Sequence, residues 1–212
     1  MVRTVPRSCR AVTKNDCAAF FLPGLIHQFG NILLTVQGNL MHLDVEDLER
    51  TQVDVLGAAK RGSGSLKVMR CLVNAGSSDP ASGSDLLRQV VELGYVAARE
   101  RGVALSLGED DGTVVWVPSM PFVQVCAHTI TSWVAAIPVG TEGQVHIAGG
   151  AGADGRFVLE VGFESASGSL PFSVDVVAVG ARLERALQQV AHEVAVEPRP
   201  DVLKVSVAPS IG

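Results

Sequence analysis

From Leu22 to Leu43 apolar side chains recur at Leu22, Leu25, Phe29, Ile32, Val36 and Leu43, alternating three and four residues apart, with polar Asn39 in the missing slot. That alternation is the seam of a helix that packs lengthwise against another helix. Ile26, Leu33 and Leu40 form a second apolar column beside it. A stripe this wide needs more than one neighbour and points to a four-helix bundle. Thr13 and Asp16 are spaced as a capping box at the start, and Pro23 should either kink the helix or mark its true beginning. A second seam runs through Leu48, Gln52, Val55, Ala59, Gly62, Leu66, Met69 and Val73. Gly62-Ser63-Gly64-Ser65 has the composition of a linker, yet the seam keeps its phase across it. A helix is therefore predicted there, held by packing, since each glycine costs about 1 kcal/mol relative to alanine. The stretch from Asp44 to Asp47 supplies a short turn and a cap. The first half then reads as an antiparallel helical hairpin. One hairpin cannot cover so broad a stripe, whereas two can, as a homodimeric four-helix bundle.

After the turn-forming Gly76-Ser77-Ser78-Asp79-Pro80 the pattern changes, which sets expected domains at 1–78 and 79–212. Ser82 with Asp85 caps a helix through about Arg101. Val103–Leu107 and Thr113–Val117 read as short strands around a turn at Glu109-Asp110-Asp111-Gly112. A buried helix is expected over Pro121–Ile137, then a hairpin of Gly143–Ile147 with Arg156–Phe163 around a glycine-rich loop. A third helix from Val174 to about Val194 and a closing strand Leu203–Ala208 complete an α/β sandwich. The whole chain is thus α+β.

Hydrophobic residues make up 47% of the 212 and charged residues 18%, a balance that suits a folded protein. The net charge of −5 argues against a nucleic-acid partner, which would require a basic face. The four cysteines, Cys9, Cys17, Cys71 and Cys126, include no C-x-x-C pair and no histidine at zinc-site spacing. Cys71 and Cys126 read as small core hydrophobes in a reducing cytoplasm. Arg3, Arg7, Arg10 and Lys14 before the apolar run Cys17–Ile26 faintly resemble a signal peptide, but Asp16 breaks the junction and His27-Gln28 stands where small residues should. No membrane span is expected, and the apolar stretch Val123–Val139 reads as a buried helix.

The segment Phe21-Leu22-Pro23-Gly24-Leu25-Ile26-His27-Gln28-Phe29-Gly30-Asn31-Ile32-Leu33-Leu34 resembles the phosphoacceptor helix of sensor histidine kinases. It is similar also to the histidine phosphotransferases with a kinase-like fold that relay phosphate between receiver domains. The family's pattern is a histidine, an acidic residue, two more residues and an asparagine, then an apolar run. His27, Asn31 and the downstream Gly38-Asn39-Leu40 match it, and Ala58-Ala59-Lys60-Arg61 through Leu72 resembles the second helix of the same dimerisation domain. The resemblance implies that the second half is a histidine-kinase ATPase domain, and a degenerate one. Aligned on Ala135-Ala136-Ile137-Pro138, the magnesium-binding asparagine falls on Ser132 and the asparagine a turn earlier on His128. The adenine-binding aspartate should follow Val161, where the chain reads Gly162-Phe163-Glu164-Ser165-Ala166-Ser167-Gly168, and the glycine-rich lid motif is missing. Gln28 stands where kinases carry a carboxylate thought to help the histidine attack ATP. These departures imply a phosphotransferase without a cofactor of its own, its magnesium supplied by a partner response-regulator receiver domain.

The heptad frame supports the same residue independently. With Leu25 and Phe29 on the seam, His27 faces solvent, which leaves an ordinary surface histidine as the bland alternative. A solvated imidazole, with a pKa of about 6.5, is mostly neutral at pH 7 and can attack phosphorus. Asn31 lies one turn on, where its amide can orient water or phosphate. Gly24 and Gly30 should leave room for a partner's backbone, with Gln28 beside them, and Leu34, a heptad after His27, offers a docking contact or is a scattered surface leucine. His42, His128, His146 and His192 show no metal-ligand spacing. Gly149-Gly150-Ala151-Gly152-Ala153-Asp154-Gly155 lacks the Lys-Ser/Thr of a phosphate loop and reads as a hairpin turn. Two function classes stand: a phosphotransferase acting through His27, and a non-catalytic dimeric adaptor or pseudokinase that binds a receiver or kinase.

Overall fold

A computed structural model describes residues 12–41, 48–109, 112–138, 141–165, 175–188, 194–199 and 202–209. The turn and cap expected at Asp44–Asp47, the Asp110-Asp111 turn, Cys9, His42, His192 and Ala166-Ser167-Gly168 lie outside them.

Helix α1 (Lys14–Met41) begins where the capping box predicts: the Asp16 carboxylate accepts from the Thr13 backbone N–H at 2.8 Å, and the Thr13 hydroxyl accepts from the Asp16 N–H at 3.2 Å. Pro23 lies well inside it and does not mark its start. Helix α2 (Leu48–Leu72) runs unbroken through Gly62-Ser63-Gly64-Ser65, and packing explains why. A Cβ on Gly62 would stand 2.7 Å from Ile32 Cδ1 of α1, so the missing side chain is what lets the two helices approach.

The hairpin does not stand apart from the rest. Cys17 and Phe21 of α1, and Val68, Cys71 and Leu72 of α2, belong to the same apolar core as the helices and sheet of residues 79–212. Asn74 follows α2 in the left-handed region, with φ of 61°, and its side-chain oxygen accepts from Lys14 Nζ at 3.1 Å and Gln124 Nε2 at 2.7 Å. Gln124 also donates to the Cys71 carbonyl at 2.8 Å, one of the acceptors that the end of a helix leaves open.

Beyond Asn74 come strand β1 (Pro80–Ser82), helix α3 (Gly83–Glu100), β2 (Val103–Leu107), β3 (Trp116–Pro118), helix α4 (Ser119–Ala136), β4 (Gly143–Ala151), β5 (Phe157–Ser165), helix α5 (Val176–Leu187), β6 (Val194–Pro198) and β7 (Val202–Val207). Ser82 caps α3 by accepting from the Asp85 N–H, as its spacing predicts. The mixed sheet runs β2-β4-β5-β7-β6, with β2 parallel to β4 and the other pairs antiparallel. Alternate residues Val145, Ile147, Leu159, Val161, Leu203 and Val205 turn inward beneath the helices, as the two-residue strand period requires. Cys71 and Cys126 are both in this core, as expected; burial raises the Cys71 thiol above its usual range, though Lys67 and Arg70 oppose the shift, and pushes Cys17 up to about 12.

Several expectations are corrected. The strand after the acidic turn pairs with β1 rather than with β2, so part of the expected linker is a strand. The third helix ends at Leu187, and Val194 begins β6, where exposed Ala195 and Glu197 alternate with half-buried Val194 and Val196. The glycine-rich run is mostly strand: β4 includes Gly149-Gly150-Ala151, and the turn is confined to Gly152–Gly155, closed by the Gly152 N–H on the Arg156 carbonyl at 2.7 Å. By length and composition α1 could also cross a bilayer, contrary to the sequence expectation, because no Asp, Glu, Lys or Arg falls between Cys17 and Met41. Its Cys17, Phe21 and Gly24 are buried against protein in this fold.

Candidate functional site

His27 is exposed on α1, as the heptad frame requires, and Asn31 is exposed one turn on. Asn31 Nδ2 lies 3.2 Å from His27 Nε2. An amide NH2 can only donate, so in this arrangement Nε2 is the nitrogen with the lone pair and Nδ1 carries the proton of the neutral ring. The nitrogen that carries the lone pair is thereby singled out and oriented. One turn further on, Thr35 Oγ1 donates to the Asn31 backbone carbonyl at 2.9 Å, as helical threonines do.

Gln28, expected beside a partner, also makes a contact within the chain. Its side-chain oxygen accepts from the Ser65 hydroxyl of α2, so it ties the hairpin together beneath His27. Gly24 is reassigned. The room it leaves is occupied by α3 of the same chain: a Cβ there would stand 1.8 Å from the Leu93 carbonyl oxygen. No partner backbone can enter at that point. Gly30 meets nothing within 4 Å, and Leu34 is 67% exposed, so both remain on the open surface beside His27.

The close approach at Gly24 brings α3 alongside the histidine. His27, Gln28 and Asn31 line one wall of an open cleft of about 450 Å³, and Arg88, Glu92 and Tyr95 of α3 line the other, with Val91, Val96 and Leu107 adding apolar surface. Arg88, Glu92 and Tyr95 share one face of α3 through their four- and three-residue spacing. Their helical phase was visible in the sequence. Which helix they would face was not, because that depends on the Gly24–Leu93 contact between distant segments.

The positions that align with a nucleotide site look different. His128 lies on α4 at 2% exposure, and neither ring nitrogen has a hydrogen-bond partner among the described residues. Burial lowers its pKa to about 4, with the Lys14 ammonium adding to the shift and Asp16 opposing it. The ring is neutral at pH 7. Ser132 is half-buried on the same helix. Gly162-Phe163-Glu164, where an adenine-binding aspartate would follow Val161, instead continue β5 in register with β4.

No family model matches the sequence, and no curated protein matches it. Among solved structures, the Acinetobacter baumannii histidine kinase AdeS is 9% identical, over 87% of this chain and 96% of that one, with a TM-score of 0.43. A bacterial phosphotransferase is 18% identical, over 90% and 95%, at 0.37. The Erythrobacter litoralis EL346 blue-light activated histidine kinase is 12% identical, over 85% and 62%, at 0.44. These likenesses extend no further than the order and arrangement of elements.

Proposed function

We propose that this chain is a phosphorelay histidine phosphotransferase, passing a phosphoryl group between receiver-domain aspartates through His27 without using ATP. The observation that carries the reading is an exposed imidazole whose Nε2 lone pair is marked out by the Asn31 amide. In the forward step that lone pair attacks the phosphorus of a receiver's acyl phosphate. The P–N bond forms, the acyl P–O bond breaks, and the aspartate carboxylate leaves with the electron pair. The Asn31 amide, released from Nε2, can turn to donate to a phosphoryl oxygen. The second transfer reverses these bond changes on another receiver. The receivers bring the magnesium ion that neutralises the transferring group, so this protein's task is mainly to place Nε2 in line.

The reading includes a homodimer. Ile26, Leu33 and Leu40 are 64%, 67% and 65% exposed, an apolar column on the outside of the hairpin that a second hairpin would cover. It also places the protein in the cytoplasm, with its receivers. The replacement of both family asparagines, by Ser132 and by buried His128, supports independence from ATP.

The test is mass spectrometry at alkaline pH, where phosphohistidine survives, after mixing with a panel of phosphorylated receiver domains. Phosphate should appear on His27, and His27→Gln should abolish transfer while leaving receiver binding intact. Normal transfer by His27→Gln would sink the reading. Receiver binding without any transfer would leave the adaptor in its place.

A further inference from the structure

The nucleophile and the group that should hold its phosphate come from different parts of the chain. Among the described residues lining the cleft, Arg88 is the cation and Glu92 the anion, both on α3, opposite His27 and Asn31 on α1. We propose that Arg88 binds the phosphoryl group carried on His27, so that the phosphohistidine site is completed by α3 and not by the hairpin alone. This rests on the phosphotransferase reading of His27.

A phosphoryl group on Nε2 would bring close to two negative charges and several acceptor oxygens into the cleft mouth. A guanidinium fork matches such a group with paired N–H donors, and the match strengthens where apolar walls thin the water. Val91 and Leu107 supply such walls here. Arg88 is already placed for the exchange: its ion pair with Asp85, at 3.5 Å, is a half-exposed neighbour pair on one helix, which is cheap to give up. The distance between the walls is fixed by the Gly24–Leu93 contact and by Phe21, whose ring edge would stand 3.0 Å from a Cβ on Gly94. Glu92 opposes the same phosphate by its charge. Retention of an α/β layer that lacks the nucleotide residues then has a reason, because its first helix supplies the anion site.

The full chain can be phosphorylated on exposed histidine by phosphoramidate, with no receiver present, and the half-life of phospho-His27 followed by mass spectrometry at alkaline pH. Arg88→Ala should shorten it about tenfold, Arg88→Lys should recover part of the loss, and Glu92→Gln should lengthen it. A general structural role would not give opposite signs for the two charges. If His27 is labelled and passes phosphate to receivers normally while Arg88→Ala leaves the half-life unchanged, this inference fails and the phosphotransferase reading stands. If His27 takes no phosphate from either phosphoramidate or receivers, both fail.

Discussion

Asn31 donates its side-chain amide to Nε2 of His27 across one helical turn, at 3.2 Å. The amide can donate only to an unprotonated Nε2, so the pair orients the ring. Asn31→Asp should reverse that preference by placing a carboxylate beside the imidazole, which favours the charged form. Phosphate uptake by His27 at pH 7 should fall. Unchanged uptake, measured with phosphoramidate, would show that the amide does not govern the ring.

Gly24→Val should separate α1 from α3. Its first added carbon would overlap the Leu93 carbonyl, a backbone atom that cannot swing away. The expected cost is about 3 kcal/mol, or a melting temperature lower by about 10 °C. Gly30→Val meets nothing within 4 Å and should cost nothing, or gain slightly, because valine suits a helix interior better than glycine. Equal losses in thermal unfolding would contradict the close approach.

The outer column predicts dimer variants that still fold. Leu33→Glu with Leu40→Glu replaces residues already exposed in one chain, so light scattering should report a folded monomer, against the dimer proposed for the wild type. Phe29→Asp, on the half-buried seam, should also lower helicity. A wild type that is monomeric at micromolar concentration would remove the bundle altogether.

His128 makes stability depend on pH. Its folded pKa of about 4 lies below the ordinary 6.5, so between these values the unfolded chain takes up a proton that the folded chain refuses. This contribution is complete above about pH 6.5 and is lost as pH falls towards 4, on the order of 3 kcal/mol in all. His128→Leu removes both the titration and two unpartnered ring nitrogens. It should flatten denaturant midpoints over that window. A variant with the wild-type slope would assign the acid sensitivity elsewhere.

Calorimetry with Mg-ATP should show no heat of binding. If the resemblance to histidine kinases holds, the magnesium and adenine contacts would fall on Ser132, on buried neutral His128 and on the strand after Val161, none of which supplies the expected carboxamide or carboxylate. A dissociation constant in the low micromolar range would overturn this.

What the sequence revealed was local order. Both helices of the hairpin, the passage of α2 through Gly62–Ser65, the caps at Thr13 and Ser82, and the exposure of His27 all follow from spacing along one element. Pairings between distant segments did not show. Strands β1 and β3 have three residues each, too few to display an alternation, and their pairing spans residues 80 to 118. Gln28 looked like a position beside a partner because its acceptor role depends on Ser65, far along the chain. The α3 wall of the cleft was hidden for the same reason: nothing local distinguishes Arg88 on a solvated face from Arg88 opposite a histidine.

A segment between two halves of a protein works as a joint only if its ends can turn. Here Asn74, two residues past the end of α2, is fastened twice, since its side chain is held by Lys14 from the start of α1 and by Gln124 from α4. Swinging residues 79–212 away from the hairpin would break the Gln124 bonds to Asn74 and to the Cys71 carbonyl and open the apolar core they share. Motion between the halves is therefore coupled to partial unfolding. The hairpin is thus a rigid handle, and a pull on it is felt as far away as α4.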